Sequence, residues 1–155
     1  MKLIHKIYGT GQPLIIMHGL FGSGDNWRSI ARMMEPHYQS IVVDMRNHGR
    51  SPHDPEMNFQ VMADDILELM TDLKLEKVSL LGHSMGGKVA MQFSFLHPDL
   101  VEKLIVVDIA PKYYPPHHDV VIEAIESIDP KQLTDRMEAE NAMARFLGND
   151  QATIQ

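Results

Sequence analysis

The chain reads as an α/β protein, a mostly parallel, doubly wound sheet with helices on both faces. Three observations lead there. Short unbroken apolar runs recur at residues 14–17, 41–43, 78–81 and 104–107 with helical stripes between them, and strands covered on both faces carry such runs. Each run ends at a residue able to do chemistry (His18, Asp44, Ser84 or Asp108 stands at or just past its end), and a doubly wound sheet gathers function along that edge. Finally, 155 residues with 44% hydrophobic and 23% charged side chains suit one globular core.

Taken in order, residues 3–7 predict a first strand, turning through Gly9, Gly11 and Pro13 into the second at 14–17. A helix is expected from Asp25 or Asn26, because Trp27, Ile30, Ala31 and Met34 follow helical spacing until Pro36. Residues 41–43 form a buried strand closing at Asp44. Met62, Ile66, Leu69, Met70 and Leu73 stripe the next helix, whose Asp64, Asp65, Glu68 and Asp72 read as a solvated face. Strand 78–81 enters a glycine-rich turn, and Val89, Phe93 and Leu96 mark a helix closed by Pro98. Residues 104–107 form another buried strand.

Beyond Pro111 the character changes. Pro111, Pro115 and Pro116 surround Tyr113 and Tyr114, and His117-His118 leads into helical segments at 120–128 and 133–147, the latter stopped by Gly148. These helices lead to no further strand. Residues 1–111 therefore read as a core and 112–155 as the start of a helical lid.

Bulk properties exclude several classes. The net charge is −7 and no basic cluster exceeds a pair, so nucleic acid is not an expected partner. With no cysteine, disulfides, a thiolate nucleophile and a zinc–thiolate site are ruled out. No run approaches the roughly 20 apolar residues that span a bilayer, and the first six residues lack a signal peptide's apolar stretch. No membrane association is expected, and the expected location is cytoplasmic. Twelve methionines read as adaptable core filler.

Gly82-His83-Ser84-Met85-Gly86 is the stretch with chemical content. It matches G-x-S-x-G, a sharp strand-to-helix turn that holds one serine exposed. Glycines two residues to either side remove the Cβ atoms that would collide as strand folds back under helix. Ser84 then stands where free helix N–H groups favour developing negative charge.

Together with two further motifs, this stretch resembles the α/β-hydrolase superfamily. His18-Gly19-Leu20-Phe21-Gly22 looks like its oxyanion loop, and Asp44-Met45-Arg46-Asn47-His48-Gly49-Arg50-Ser51 looks like the D-x-R-x-H-G-x-S loop of lid-bearing members. With Asp108-Ile109-Ala110-Pro111 after the next strand, the resemblance is greatest to small bacterial esterases of the YbfF type. It implies Ser84 as nucleophile, with the backbone amides of Met85 and Leu20 (Phe21 next) as oxyanion donors. Phe21, Tyr113 and Tyr114 are expected at the acyl pocket or lid. The implied order is Ser, then acid, then His. Asp108 is a candidate acid; the alternative is a loop-organising carboxylate, since the usual acid follows a later strand. The family's histidine lies near the end of a longer fold, whereas this sequence runs to Gln155. The triad histidine is therefore expected outside this chain, either in a longer enzyme or in a second polypeptide.

Other residues receive quieter roles. Asp44 precedes Ser84, against the triad order, and Arg46 and His48 are read as bracing its loop. His83 is read as supporting the turn and His18 as anchoring the oxyanion loop. His117-His118 with Asp119 suggests a metal, but adjacent histidines point apart and no further ligand is suitably spaced. Gly22-Ser23-Gly24 lacks a third glycine, Trp27 taking its place, and no Walker lysine follows, which excludes a nucleotide loop. No cofactor is expected. The expected function is a serine esterase acting on a small ester of short or medium acyl length. A thioesterase or lactonase would use the same parts, and a non-catalytic fragment or binding module is the rival from another class.

Overall fold

The computed structural model describes residues 1–114, 119–129 and 135–147. The chain divides into two compact units, Met1–Pro111 and Lys112–Gln155. In the first, five strands form one sheet: β1 (His5–Tyr8), β2 (Gln12–Met17), β3 (Tyr38–Val43), β4 (Val78–His83) and β5 (Val101–Val107), in the spatial order β1-β3-β2-β4-β5. All neighbours are parallel except β1, which runs antiparallel to β3.

Alternation along the strands divides the core. Ile15, Met17, Ile41 and Val43 face one way and pack with Met62, Ile66, Leu69 and Met70 of α2 (Phe59–Asp72) and Val89 and Phe93 of α3 (Met85–Leu96). Leu14, Ile16, Val42 and Leu81 face the other way, onto Ala31 of α1 (Arg28–Met34). Helices thus cover both faces, and the doubly wound reading holds. The Asn58 side chain caps α2 by accepting from the Val61 N–H at 2.9 Å.

Three local expectations are corrected. The helix expected near Asp25 begins as a 3₁₀ turn, Gly24–Trp27, and becomes α-helical only at Arg28. There the Asn26 carboxamide accepts from the Ser23 N–H, which holds the tighter turn. The strand at 104–107 is not buried: Leu104 and Ile105 are 41% and 40% exposed, because β5 stands at the edge of the described sheet with β4 as its paired neighbour. Asp65 is not on a solvated face. It is 1% exposed and accepts from Arg46 Nε at 2.6 Å and Nη2 at 2.9 Å. The α-amino group of Met1 lies 2.9 Å from the same carboxylate. A forked, buried pair of this kind holds geometry, and losing one partner costs about 3–5 kcal/mol because the other charge stays buried.

The second unit contributes α4 (Asp119–Glu126) and α5 (Arg136–Leu147). Ala124 is buried in α4, and the Asp135 carboxylate accepts from the Glu138 N–H at the start of α5. The Lys112 ammonium sits 4.9 Å from the centre of the Tyr114 ring, while Tyr113 is 82% exposed. His117, His118, Leu133 and Gly148 lie outside the described residues.

Candidate active site

β4 ends at His83 and α3 begins at Met85, so one residue makes the whole turn between them. That residue, Ser84, has φ 49° and ψ −111°, a combination side chains rarely adopt. Its hydroxyl does not cap α3. The backbone is nevertheless tied on both sides, the Ser84 N–H donating to Val107 O at 3.0 Å and Ser84 O accepting from the Lys88 N–H at 3.1 Å. A strained residue in so fixed a frame is held for a purpose other than stability.

The flanking glycines explain how the turn fits. A Cβ on Gly82 would land on the Gly86 backbone, and one on Gly86 would come within 2.5 Å of Met17 O and 2.7 Å of His18 O. The close approach is also a bond, since the Gly86 N–H donates to His18 O at 3.1 Å. Strand β2 and helix α3 thereby hold the 18–22 loop beside the serine. Gly19 is so near that a Cβ there would stand 3.4 Å from Ser84 Cβ.

Within that loop the Gly22 N–H donates to Gly19 O at 3.1 Å, closing a turn over Leu20 and Phe21. Phe21 takes φ 61° and is 53% exposed, so an aromatic ring is presented outward at some cost in backbone strain. Met85, the first residue of α3, has no acceptor within the helix for its N–H. Met85 thus adjoins Ser84 in the chain, and Leu20 follows Gly19, the loop residue that stands against it.

His18 fixes the loop from beneath. It is 1% exposed; its Nε2 accepts from the Met45 N–H at 3.0 Å, and its Nδ1 lies 2.7 Å from Gly19 O. With Nε2 as acceptor the proton sits on Nδ1 and is donated to Gly19 O. The ring packs 5.1 Å from that of His48, whose Nδ1 contacts Arg46 O. Burial pushes the His18 pKa down, helped by His48 and His83 and opposed by the Gly19 bond and by Asp44. A histidine depressed in the folded state favours that state above its unfolded pKa of about 6.5, and the advantage is lost as pH falls below that value. Thermal melts between pH 7 and pH 5 should therefore fall more steeply for the wild type than for His18→Gln. Equal slopes would rule out His18 as the titrating group.

Asp44 organises the neighbouring loop, accepting from the N–H groups of Gly24 at 2.7 Å and Arg50 at 2.9 Å, while Ser51 Oγ donates to its backbone carbonyl. Asp108 follows β5 with φ 57° and is 83% exposed, its Oδ2 3.7 Å from His83 Nε2. His83 also packs on Trp27, with ring centres 6.3 Å apart. The structure thus brings Ser84, the 18–22 loop, Met85, His83 and Asp108 to one sheet edge. Tyr113 and Tyr114 belong to the second unit. Sequence reasoning passed over Lys88, which donates to Ala110 O at 3.0 Å; its position four residues past the serine was the available signal.

This geometry has relatives. The family model described as alpha/beta hydrolase fold matches residues 12–148. Esterase YbfF of Escherichia coli is 40% identical over 147 residues, covering 94% of this chain and 58% of that protein. The sn-1-specific diacylglycerol lipase ABHD11 of Danio rerio is 44% identical over 111 residues, covering 70% of this chain and 35% of that protein. Among solved structures, a marine microorganism esterase matches with a TM-score of 0.93 at 46% identity, covering 99% of this chain and 61% of that one. The chain spans between about a third and three-fifths of the length of these curated relatives.

Proposed function

This chain belongs to the α/β-hydrolase fold family, and from that premise we propose that it carries the nucleophile of a serine carboxylester hydrolase. The observation behind the reading is Ser84 itself, held at φ 49° between β4 and α3 with the 18–22 loop against it. In this mechanism Ser84 Oγ attacks an ester carbonyl and forms a tetrahedral intermediate. The Met85 and Leu20 amides hold its oxyanion, and the helix start adds favourable potential. Collapse expels the alcohol and leaves an acyl-serine, which water then hydrolyses. A histidine outside this chain takes the serine proton and passes it to the leaving alcohol. Asp108 is proposed to orient that histidine.

Short and medium acyl esters are the proposed substrates, with the exposed Phe21 ring on the acyl side. The diacylglycerol ester named for the Danio rerio relative is a narrower candidate of the same class. Comparing 4-nitrophenyl acetate, butyrate and palmitate with matched thioesters and lactones tests the class. A preference for either of the latter would transfer the assignment to a thioesterase or lactonase. The cytoplasmic location belongs to this proposal and is checked by cell fractionation.

One observation favours a second reading. The exposed Leu104 and Ile105 on edge strand β5 suit a segment that pairs with a second polypeptide and has no activity alone. Native mass spectrometry with fluorophosphonate labelling separates the two readings. An unlabelled 17.6 kDa species favours the fragment, and a labelled larger species favours the enzyme.

A further inference from the structure

The segment that carries Ser84 and the segment that carries Asp108 touch residue by residue. The Ser84 N–H donates to Val107 O at 3.0 Å. His83 Nε2 lies 3.7 Å from Asp108 Oδ2. A Cβ added to Gly87 would meet Ile109 Cγ2 at 2.5 Å, so Ile109 already fills the space over the first turn of α3. Finally, Lys88 Nζ donates to Ala110 O at 3.0 Å.

Lys88 is the unexpected member. It is the fourth residue of α3, in the first turn, where the helix dipole disfavours a cation. Its half-buried stem and its bond to Ala110 give it a different purpose. Asp108 needs such help: it leaves the sheet with φ 57°, and its carboxylate is 83% exposed. An exposed carboxylate on a left-handed residue has several rotamers and backbone states open to it unless the following residues are tied down. Ala110, two residues on, is where Lys88 ties them.

We propose that Lys88 is a positioning residue for Asp108, its ammonium fastening the Ala110 carbonyl so that the elbow helix sets where the carboxylate stands relative to Ser84. The proposal rests on the esterase reading above, with Asp108 as the acid. A charge acting only at long range on the oxyanion would place Lys88 in the same spot, so the test must separate the two.

The experiment uses the intact enzyme with 4-nitrophenyl acetate and compares Lys88→Met, Lys88→Arg, Asp108→Asn and the Lys88→Met/Asp108→Asn double variant. Methionine keeps the apolar stem and removes the donor. Lys88→Met is expected to lower kcat about tenfold with KM within twofold of wild type, and Lys88→Arg to restore most of it. The acid limb of the kcat/KM profile should move to lower pH in Lys88→Met, because a histidine that loses its carboxylate partner protonates less readily. In the Asp108→Asn background, Lys88→Met should have no further effect. Multiplicative losses in the double variant would instead assign Lys88 a direct electrostatic role and overturn the proposal. Wild-type kcat in Lys88→Met, with Ser84→Ala inactive, would overturn the positioning role and leave the esterase reading standing. Activity surviving Ser84→Ala would overturn both. If Lys88→Met lowers the melting temperature by more than a few degrees, the Arg rescue and the double variant, compared at a temperature where all are folded, decide the matter.

Discussion

Replacing Ser84 with alanine should lower kcat for 4-nitrophenyl acetate in the intact enzyme by about six orders of magnitude while leaving the fold in place. In serine hydrolases, losing the nucleophile leaves only the rate supplied by binding and the oxyanion donors. The fold should survive because the Ser84 side chain does not cap α3, while its N–H and carbonyl bonds belong to the backbone and persist in alanine. Ser84→Gly sharpens the test. Glycine accepts φ 49° and ψ −111° without strain, so that variant should be equally inactive yet more stable by roughly 1 kcal/mol in urea unfolding. Opposite signs in activity and stability are what a position strained for function produces. Retained hydrolysis in both variants would remove Ser84 from the mechanism.

The second large effect is on stability. Gly82→Ala should cost upwards of about 4 kcal/mol, in the rare class of severely destabilising substitutions. Its Cβ would fall on the Gly86 carbonyl and 2.6 Å from Gly87 N, both backbone atoms that no rotamer change can move aside. Relief would require separating β4 from α3, and α3 is pinned by Val89, Ala90 and Phe93, all fully buried. The variant should accumulate as insoluble protein or melt many degrees below wild type. A soluble Gly82→Ala protein with an unchanged melting temperature would mean that the turn is looser than described.

Much of this was legible in the sequence because it is local. The runs at 14–17, 41–43 and 78–81 are buried on both faces as continuous apolar strands should be, and the glycines around Ser84 announce a turn with no room for Cβ atoms. What escaped depends on partners distant in sequence. Periodicity places Asp65 beside Asp64 and Glu68 on a polar helix face, and nothing within that helix reveals that Arg46 reaches it from 19 residues away. Leu104 and Ile105 have the composition of a buried strand, but burial is conferred by neighbours, and β5 has its described partner on one side. The antiparallel pairing of β1 with β3, across the intervening β2 segment of sequence, likewise follows from sheet topology rather than from residues 5–8. Lys88 reads as an ordinary helical lysine until the backbone of 107–110 is laid against it.

The two faces of the sheet are unequal. The face under α2 and α3 is broad, whereas the face under α1 rests on Leu14, Ile16, Ala31, Val42 and Leu81. On that thinner side Ser40 and Ser79 flank Leu14 in register, with buried hydroxyls that find no partner among the described residues. Unpaired buried hydroxyls and sparse apolar area both lower the cost of local opening. The protein should therefore come apart in order, α1 lifting away while the layer that positions Ser84 stays closed. Slower hydrogen exchange at α3 amides than at α1 amides is the expected sign of that order.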